Sequence, residues 1–442
     1  MTVYDHNVMD VKQKNELLLR GHLEKPGLFP QIEALADLPV QFEPDFGLEK
    51  LPKEPGLILI RGARQMGKST WMELQLKKAI LENGAGSSFY LNGDELLDSQ
   101  RLYEEIKALL PLFKKGVAAR LFIDEITAIP NWENAVKRLH DEGETRHILL
   151  VTTGSMAVDL RRGHERLPGR KGRLARSKYL FLPIPYAQFE RLCRSHFGGE
   201  TLAAYLLCGG SPLAANELIQ ERRIPEFVIE LTRDWIFGEC SLQGRSRNLL
   251  NWICQQLLVR GETPVPLAKL ARESGAANNS VVQGYVDLMA DLLCLTIAHP
   301  IDGSTGRPIP RKAFKYHWIH LLAATSFHPM RPRTLTDFQE FTASEQARWF
   351  EWAVAQKLWC QAARAGVDSP ETQFFLSTRD HELDFRVDSR HWIEVKRGQS
   401  GPTEFSWFTK AFPKSQLKII CSTPFSAGAM TGLLLEDFLR QP

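Results

Sequence analysis

The 442-residue sequence has no apolar run approaching the ~18 residues needed to span a bilayer. Its N-terminus, MTVYDHNVMDVKQKNELLLR, lacks the basic-then-apolar order of a secretion signal. Both absences lead to the expectation of a soluble, cytoplasmic protein with no membrane partner. Cysteine is scarce and scattered: Cys193, Cys208, Cys240, Cys254, Cys294, Cys360 and Cys421, seven residues with no Cys-x-x-Cys pair. An odd, dispersed set argues against a disulfide framework or a thiolate zinc site and fits reduced, buried thiols. An excess of one charge sign is also missing. With a net charge of only +3, any nucleic-acid surface would have to be local. No internal repeat or low-complexity tract occurs. What remains is ordinary globular material, 43% hydrophobic and 24% charged. The length suits roughly two to four domains.

Along the chain, short apolar runs alternate with amphipathic stretches. LPKEPG (51–56) turns into the apolar LILI (57–60), and TWMELQLKKAILENG then has helical spacing and stops at Gly84. SSFYLN, RLFIDEI and HILLVTTGS read as further buried strands, separated by helical patterns. This alternation predicts an α/β fold with a parallel sheet covered by helices. After about residue 235 three helical patterns follow closely and end in the strand-like CLTIAHP, the order of a winged helix. The expected recognition helix, 278–290, carries no Lys or Arg. Phosphate contacts need cations, so a packing module is the better reading, although Asn278, Asn279 and Gln283 suit adenine edges.

The strongest motif is GARQMGKST: Gly62, Ala63, Arg64, Gln65, Met66, Gly67, Lys68, Ser69 and Thr70. It fits G-x-x-x-x-G-K-[ST] and stands between a predicted strand and a predicted helix, the context a phosphate-binding loop requires. The expected cofactors are ATP and Mg²⁺, with Lys68 on the β- and γ-phosphates and Ser69 on the metal. In LFIDEI, Asp124 supports the Mg²⁺ and Glu125 polarises the attacking water. In TTGSM, Thr153 or Ser155 projects a hydroxyl toward the γ-phosphate. A basic stretch, 161–178, has three open readings: a solvated charge run, a nucleic-acid contact, or an arginine finger. For the last, Arg170 and Arg173 are the candidates, acting on the chain's own nucleotide or on that of a neighbour in a homo-oligomer.

Near the C-terminus, HELDFRVDSRHWIEVKRG (381–398) reads as two strands around a polar turn. Residues two apart on a strand share a face, so Glu394 and Lys396 project together, and Asp384 sits on the partner strand with Glu382 and Arg386. On these residues alone, an exposed hairpin with a cross-strand Lys–acid pair is the better account. The histidines of HWIH (317–320) read as core or surface, and the tryptophans of RWFEWAVAQKLW read as core.

Taken in order, LILIRGARQMGKST, FIDEITAIPNWENAVKRLHDEG, LLVTTGS, LPGR and LCGGSPLAANEL resemble a group of prokaryotic AAA-like P-loop ATPases. Members of that group carry a C-terminal domain of unknown function related to PD-(D/E)XK nucleases. The resemblance begins near residue 45 and is most specific at Trp132 and at Gly209–Pro212. It implies a P-loop AAA-like core, a winged-helix-like middle and a C-terminal α/β restriction-endonuclease-like domain. The corresponding segments are a lead-in (1–50), an ATPase domain with helical lid (51–235), a winged-helix-like segment (236–300) and the nuclease-like domain (301–442). It also implies that Glu351, Asp384 and Glu394 bind Mg²⁺ or Mn²⁺, with Lys396 positioning water. The chain departs from the pattern in its longer lead-in and at His317 and Trp318 of FKYHWIHLL. Two functions follow as expectations. One is an ATPase controlling a metal-dependent nuclease-like domain that acts on or binds DNA. The other is a nucleotide-driven switch or scaffold whose nuclease-like domain is inactive and binds a partner.

Overall fold

The computed structural model describes residues 9–155, 173–303, 305–309, 312–377 and 381–442. The chain divides into two compact units, Met1–Leu182 with Arg364–Asp368, and Pro183–Ala363 with Ser369–Pro442. Residues 183–235, expected as the lid of the ATPase domain, therefore pack with the C-terminal unit, and the division falls after Leu182.

The first unit is built on five parallel strands: β1 (Gly56–Arg61), β2 (Ser88–Asn92), β3 (Ala119–Asp124), β4 (Ile148–Gly154) and β5 (Lys178–Leu180). Their order is β2-β3-β4-β1-β5. Every residue of β3 and β4 is buried, which is why these strands read as unbroken apolar runs. On one face, Leu57, Phe89, Leu91, Leu121, Ile123 and Leu150 pack with Leu102, Ile106, Trp132 and Leu139. The last four lie on helices Ser99–Leu109 and Trp132–Asp141. The lead-in forms α1 (Val11–Arg20), capped by Asp10. Its Asn15 side chain donates to the carbonyl of Tyr90 at 2.8 Å and accepts from the same residue's N–H at 2.9 Å. A side-chain amide thus closes the free edge of β2, a position otherwise open to pairing with another chain. Lys14 adds a buried ion pair to Glu73 at 3.1 Å. Glu73 belongs to α2 (Lys68–Asn83), the helix that follows the phosphate-loop motif.

The second unit begins with helices and ends in two sheets. Three of its helices, Arg247–Val259, Leu267–Ser274 and Asn279–Asp291, precede β6 (Leu295–Ile301) and β7 (Lys315–Trp318), which pair antiparallel. β6 also pairs in parallel with β8 (Thr372–Leu376). The strand pair is thus built into a four-stranded sheet rather than standing free as a wing. Asn278 spends its side chain capping its own helix, and Gln283 bonds Asp287 at 2.7 Å. Two of the three side chains expected to suit base edges thus have internal partners.

The expected C-terminal hairpin forms, but its first strand is broken. β9 (Glu382–Leu383) pairs with β8 in the first sheet. β10 (Phe385–Arg386) pairs with β11 (His391–Val395) in the second sheet. Asp384 is the bend between them. The second sheet continues through β12 (Gln416–Ile420), which runs parallel to β11. Trp392, Phe408, Phe412, Leu417 and Ile419 form its core. The long helix α3 (Ala343–Arg364) turns Trp349, Glu351 and Trp352 to its buried side. Among the described residues no helix is long and apolar enough to cross a membrane.

Candidate functional site

In the first unit, β1 runs into the loop Gly62–Gly67 and β3 ends at Asp124, with β4 between them. Neighbouring strands lie ~4.8 Å apart, so the end of β4 falls between the loop and the acids. Gln65 and Gly67 both take positive φ, 60° and 94°. That curl needs glycine at the second position, and glycine brings no capping side chain, so the first-turn N–H groups of α2 are left for an anion. Ala63 and Met66 are buried and anchor the loop, while Arg64 and Gln65 are exposed. Lys68 is 4% exposed, and its Nζ donates to the carbonyls of Gly62 (3.1 Å) and Ala63 (2.9 Å). Burial lowers its pKa, opposed first by Glu125 and then by Asp124. A buried ammonium of this kind gains from a polyanion beside it.

Two hydroxyls at the end of β4 organise the two acids. Thr153 Oγ1 donates to Asp124 Oδ1 and accepts the backbone N–H of Glu125 at 3.1 Å. Ser155 gives Glu125 Oε2 two hydrogen bonds, from its N–H and from its Oγ, each 3.0 Å. Arg64 Nε donates to Ser155 Oγ at 3.4 Å. The sequence offered Thr153 and Ser155 as alternatives, but each serves a different carboxylate. Glu125 Oε1 stands 3.9 Å from Lys68 Nζ. Ser69 and Thr70 lie on the first turn of α2. This donor set suits a nucleotide phosphate with Mg²⁺: Lys68 and free helix N–H groups for the phosphates, Ser69 and Asp124 for the metal.

Sequence reasoning missed Gly93 and Asp94. A Cβ at Gly93 would collide with the carbonyl oxygen of Glu125. Asp94 is held above its usual carboxyl range by desolvation and then by Glu125. Their only sequence signal is position, since they follow β2, whose last residue, Asn92, is in register with Asp124. Replacing Thr153 by Val removes the hydroxyl from Asp124 and the acceptor from Glu125 N–H. A hydrogen bond to a charged group is worth ~1.5–3 kcal/mol, so ATP turnover should fall about tenfold or more, measured by phosphate release.

Arg173 does not reach this site. It is exposed and lines a cavity of about 400 Å³ with Pro55, Gly56, Leu57, Arg146 and His140. That cavity lies at the start of β1, whereas the phosphate loop follows its end. The expectation that Arg173 acts on the chain's own nucleotide is therefore not met, because the length of β1 separates them. Arg170 lies outside the described residues.

Residues 54–189 match the protein family described as an AAA domain. With its parallel sheet and phosphate loop, this segment is a P-loop AAA domain. No curated protein matches the chain. Among solved structures, the Aeropyrum pernix ORC2 protein in ADPNP–ADP complexes aligns at 14% identity and a TM-score of 0.36, covering 71% of this chain and 92% of that one. The Thermotoga maritima RuvB T158V variant aligns at 14% identity and a TM-score of 0.30, covering 65% and 88%. A DNA polymerase III gamma subunit-related protein of T. maritima aligns at 18% identity and 0.27, covering 55% and 79%.

In the second unit three of the four acids near the broken strand, Glu351, Glu382 and Asp384, converge on a lysine. Lys315, the first residue of β7, is 1% exposed. Its Nζ lies 2.8 Å from Asp384 Oδ1, 3.1 Å from Glu351 Oε1 and 2.5 Å from Glu382 Oε1. Across the sheet Lys315 stands in register with Ala298, which is in register with Thr372. Burial disfavours the charge of Lys315, but Asp384, Glu351 and Glu382 outweigh that and hold the ammonium charged well above its usual range.

The remaining oxygens are largely committed. Asp384 Oδ2 accepts the N–H of Val395 at 2.8 Å, and Glu394 Oε2 accepts the N–H of Asp384 at 3.2 Å. Glu394 Oε1 pairs with Lys396 Nζ at 2.8 Å. His317 Nε2 lies 2.9 Å from Glu351 Oε1, and burial, then Lys315, push its pKa down to about 3. Burial raises both Glu351 and Glu394 above the usual carboxyl range. Arg386, expected beside Asp384, instead donates to the carbonyl of Gly306 at 2.8 Å. Among the described residues no group of three or more His, Cys, Asp or Glu is disposed to hold a metal ion. Lys315 carried no motif in the sequence.

Proposed function

We propose that the protein is an ATP-hydrolysing AAA-type switch. In this reading, its C-terminal unit is a nuclease-like fold that binds a partner and does not cut. The observation that carries the first half is the division of labour at the end of β4. Thr153 fixes Asp124 at the end of its strand, and Ser155 fixes Glu125 beside Lys68. When bound there, Mg²⁺ would neutralise phosphate charge. The chain's own groups do the rest. The loop N–H groups and Lys68 orient the triphosphate, and Glu125 takes the proton of the attacking water. The second half is supported by the element order of the C-terminal unit: a helix bearing Glu351, a strand broken at Asp384, and a strand bearing Glu394 ahead of Lys396. The non-cutting form is favoured because an ammonium stands among those acids. The test is phosphate release from ATP by the purified protein with and without Mg²⁺. Magnesium-dependent turnover is expected. A protein that binds ATP but never hydrolyses it under any Mg²⁺ concentration would leave only the switch.

A further inference from the structure

We propose that Lys315 takes the place of the divalent metal in the nuclease-like unit, so that the acid cluster is complete without any metal. A nuclease of this fold type needs a divalent cation held by oxygen ligands, with sites left for substrate and water. Here the point shared by Asp384, Glu351 and Glu382 is filled by Nζ of Lys315, within 3.1 Å of an oxygen of each. Both oxygens of Asp384 have donors, one from Lys315 and one from Val395 N–H. Both oxygens of Glu394 have donors, Lys396 Nζ and Asp384 N–H. A metal entering the cluster would have to expel a 1%-exposed ammonium and strip hydrogen bonds from the two acids it needs most.

Charge gives the same answer. Two lysines already pair with these acids, Lys315 with Asp384, Glu351 and Glu382, and Lys396 with Glu394. A further two positive charges would meet ligands whose oxygens are already spent on lysines and backbone N–H groups. His317, the remaining nitrogen at the centre, is tied to Glu351 and lies 3.5 Å from Thr372 Oγ1 through its other ring nitrogen. The cluster therefore acts as a structural cross-link among β7, the helix α3 and the bend at Asp384. A metal-dependent cut is not available to it. This inference rests on the nuclease-like reading of the second unit and is independent of ATP hydrolysis by the first.

The test is a Mn²⁺ titration of the full chain without nucleotide, with bound ion followed by electron paramagnetic resonance. Wild-type protein is expected to bind no Mn²⁺ that Glu351→Gln or Asp384→Asn abolishes. Lys315→Gln, which frees the carboxylates and keeps a polar stem, is expected to gain a Mn²⁺ site at least about tenfold tighter than anything in the wild type. A wild-type Mn²⁺ site lost in Asp384→Asn would overturn the inference. So would Mn²⁺-dependent phosphodiester cleavage by the wild type, or a folded Lys315→Gln variant with no gain in affinity. If Lys315→Gln does not fold, the wild-type titration decides alone. ATP turnover, measured separately, tells whether the AAA reading stands whatever the titration gives.

Discussion

Replacing Glu125 by Gln should lower ATP turnover by about 100-fold or more while leaving ATP affinity within roughly threefold. Gln has the same shape, and its carbonyl oxygen can still accept the two hydrogen bonds from Ser155 that fix the side chain. What it loses is the ability to take a proton. A 100-fold loss corresponds to about 2.7 kcal/mol of barrier, within reach of one general base. Lys68→Ala should behave differently. Its ammonium is buried against the loop carbonyls, so its removal should weaken binding itself. Fluorescent-nucleotide titration and phosphate release, run on both variants, separate the two roles. Undiminished turnover in Glu125→Gln would remove Glu125 from the chemistry. An equal loss of affinity in both variants would make it a binding residue.

The second large effect is on stability. Lys315→Met fills the space of the stem and removes the charge. It leaves Asp384, Glu351 and Glu382 facing one another without their shared cation. Breaking a buried ion group by removing one partner costs about 3–5 kcal/mol, and urea unfolding should register a loss of that order in the transition of the second unit. Adding nucleotide should raise only the first unit's transition, which assigns the two. The pH dependence has a definite sign. Burial alone would raise the Asp384 carboxyl, but Lys315 holds it below its ordinary value of 3.8. A carboxyl depressed on folding stabilises the protein above its unfolded value and loses that contribution as pH falls through its folded one. The gap between wild type and Lys315→Met is therefore full near neutral pH and closes in acid. Neutralising the acids as well, with Asp384→Asn and Glu351→Gln, should recover much of the loss. A variant as stable as wild type at pH 7 would contradict the cross-link.

These two sites differ in how far the sequence exposed them. The nucleotide site was legible because it is local. The loop from Gly62 to Thr70 is one unbroken motif, and Asp124–Glu125 end an apolar strand. Only the partition between Thr153 and Ser155, and the approach of Gly93, needed the strand order β2-β3-β4-β1-β5. The acid cluster was legible in its acids and illegible in its cation. Lys315 lies 36 residues from Glu351 and 69 from Asp384 in sequence. No spacing rule on a single strand or helix connects them. The break at Asp384 was hidden for a related reason. HELDFRV has the alternation of one strand, and only its neighbours in two different sheets force a bend. His317 was set aside as a metal ligand on its spacing, and its place beside Glu351 could not be foreseen. The lead-in lay outside the resemblance and had no role read for it, yet Asn15 closes a sheet edge.

The ammonium among the acids has one more consequence. A metal ion in such a place is borrowed from solution, and its occupancy follows the free concentration outside. Lys315 is tethered to the chain, so its effective concentration at the carboxylates is fixed by the fold and cannot be diluted. No chelator lowers it, and no rise in cellular magnesium adds to it. The second unit is thereby released from ionic supply, and only unfolding, or a change at position 315, can free its acids for another cation.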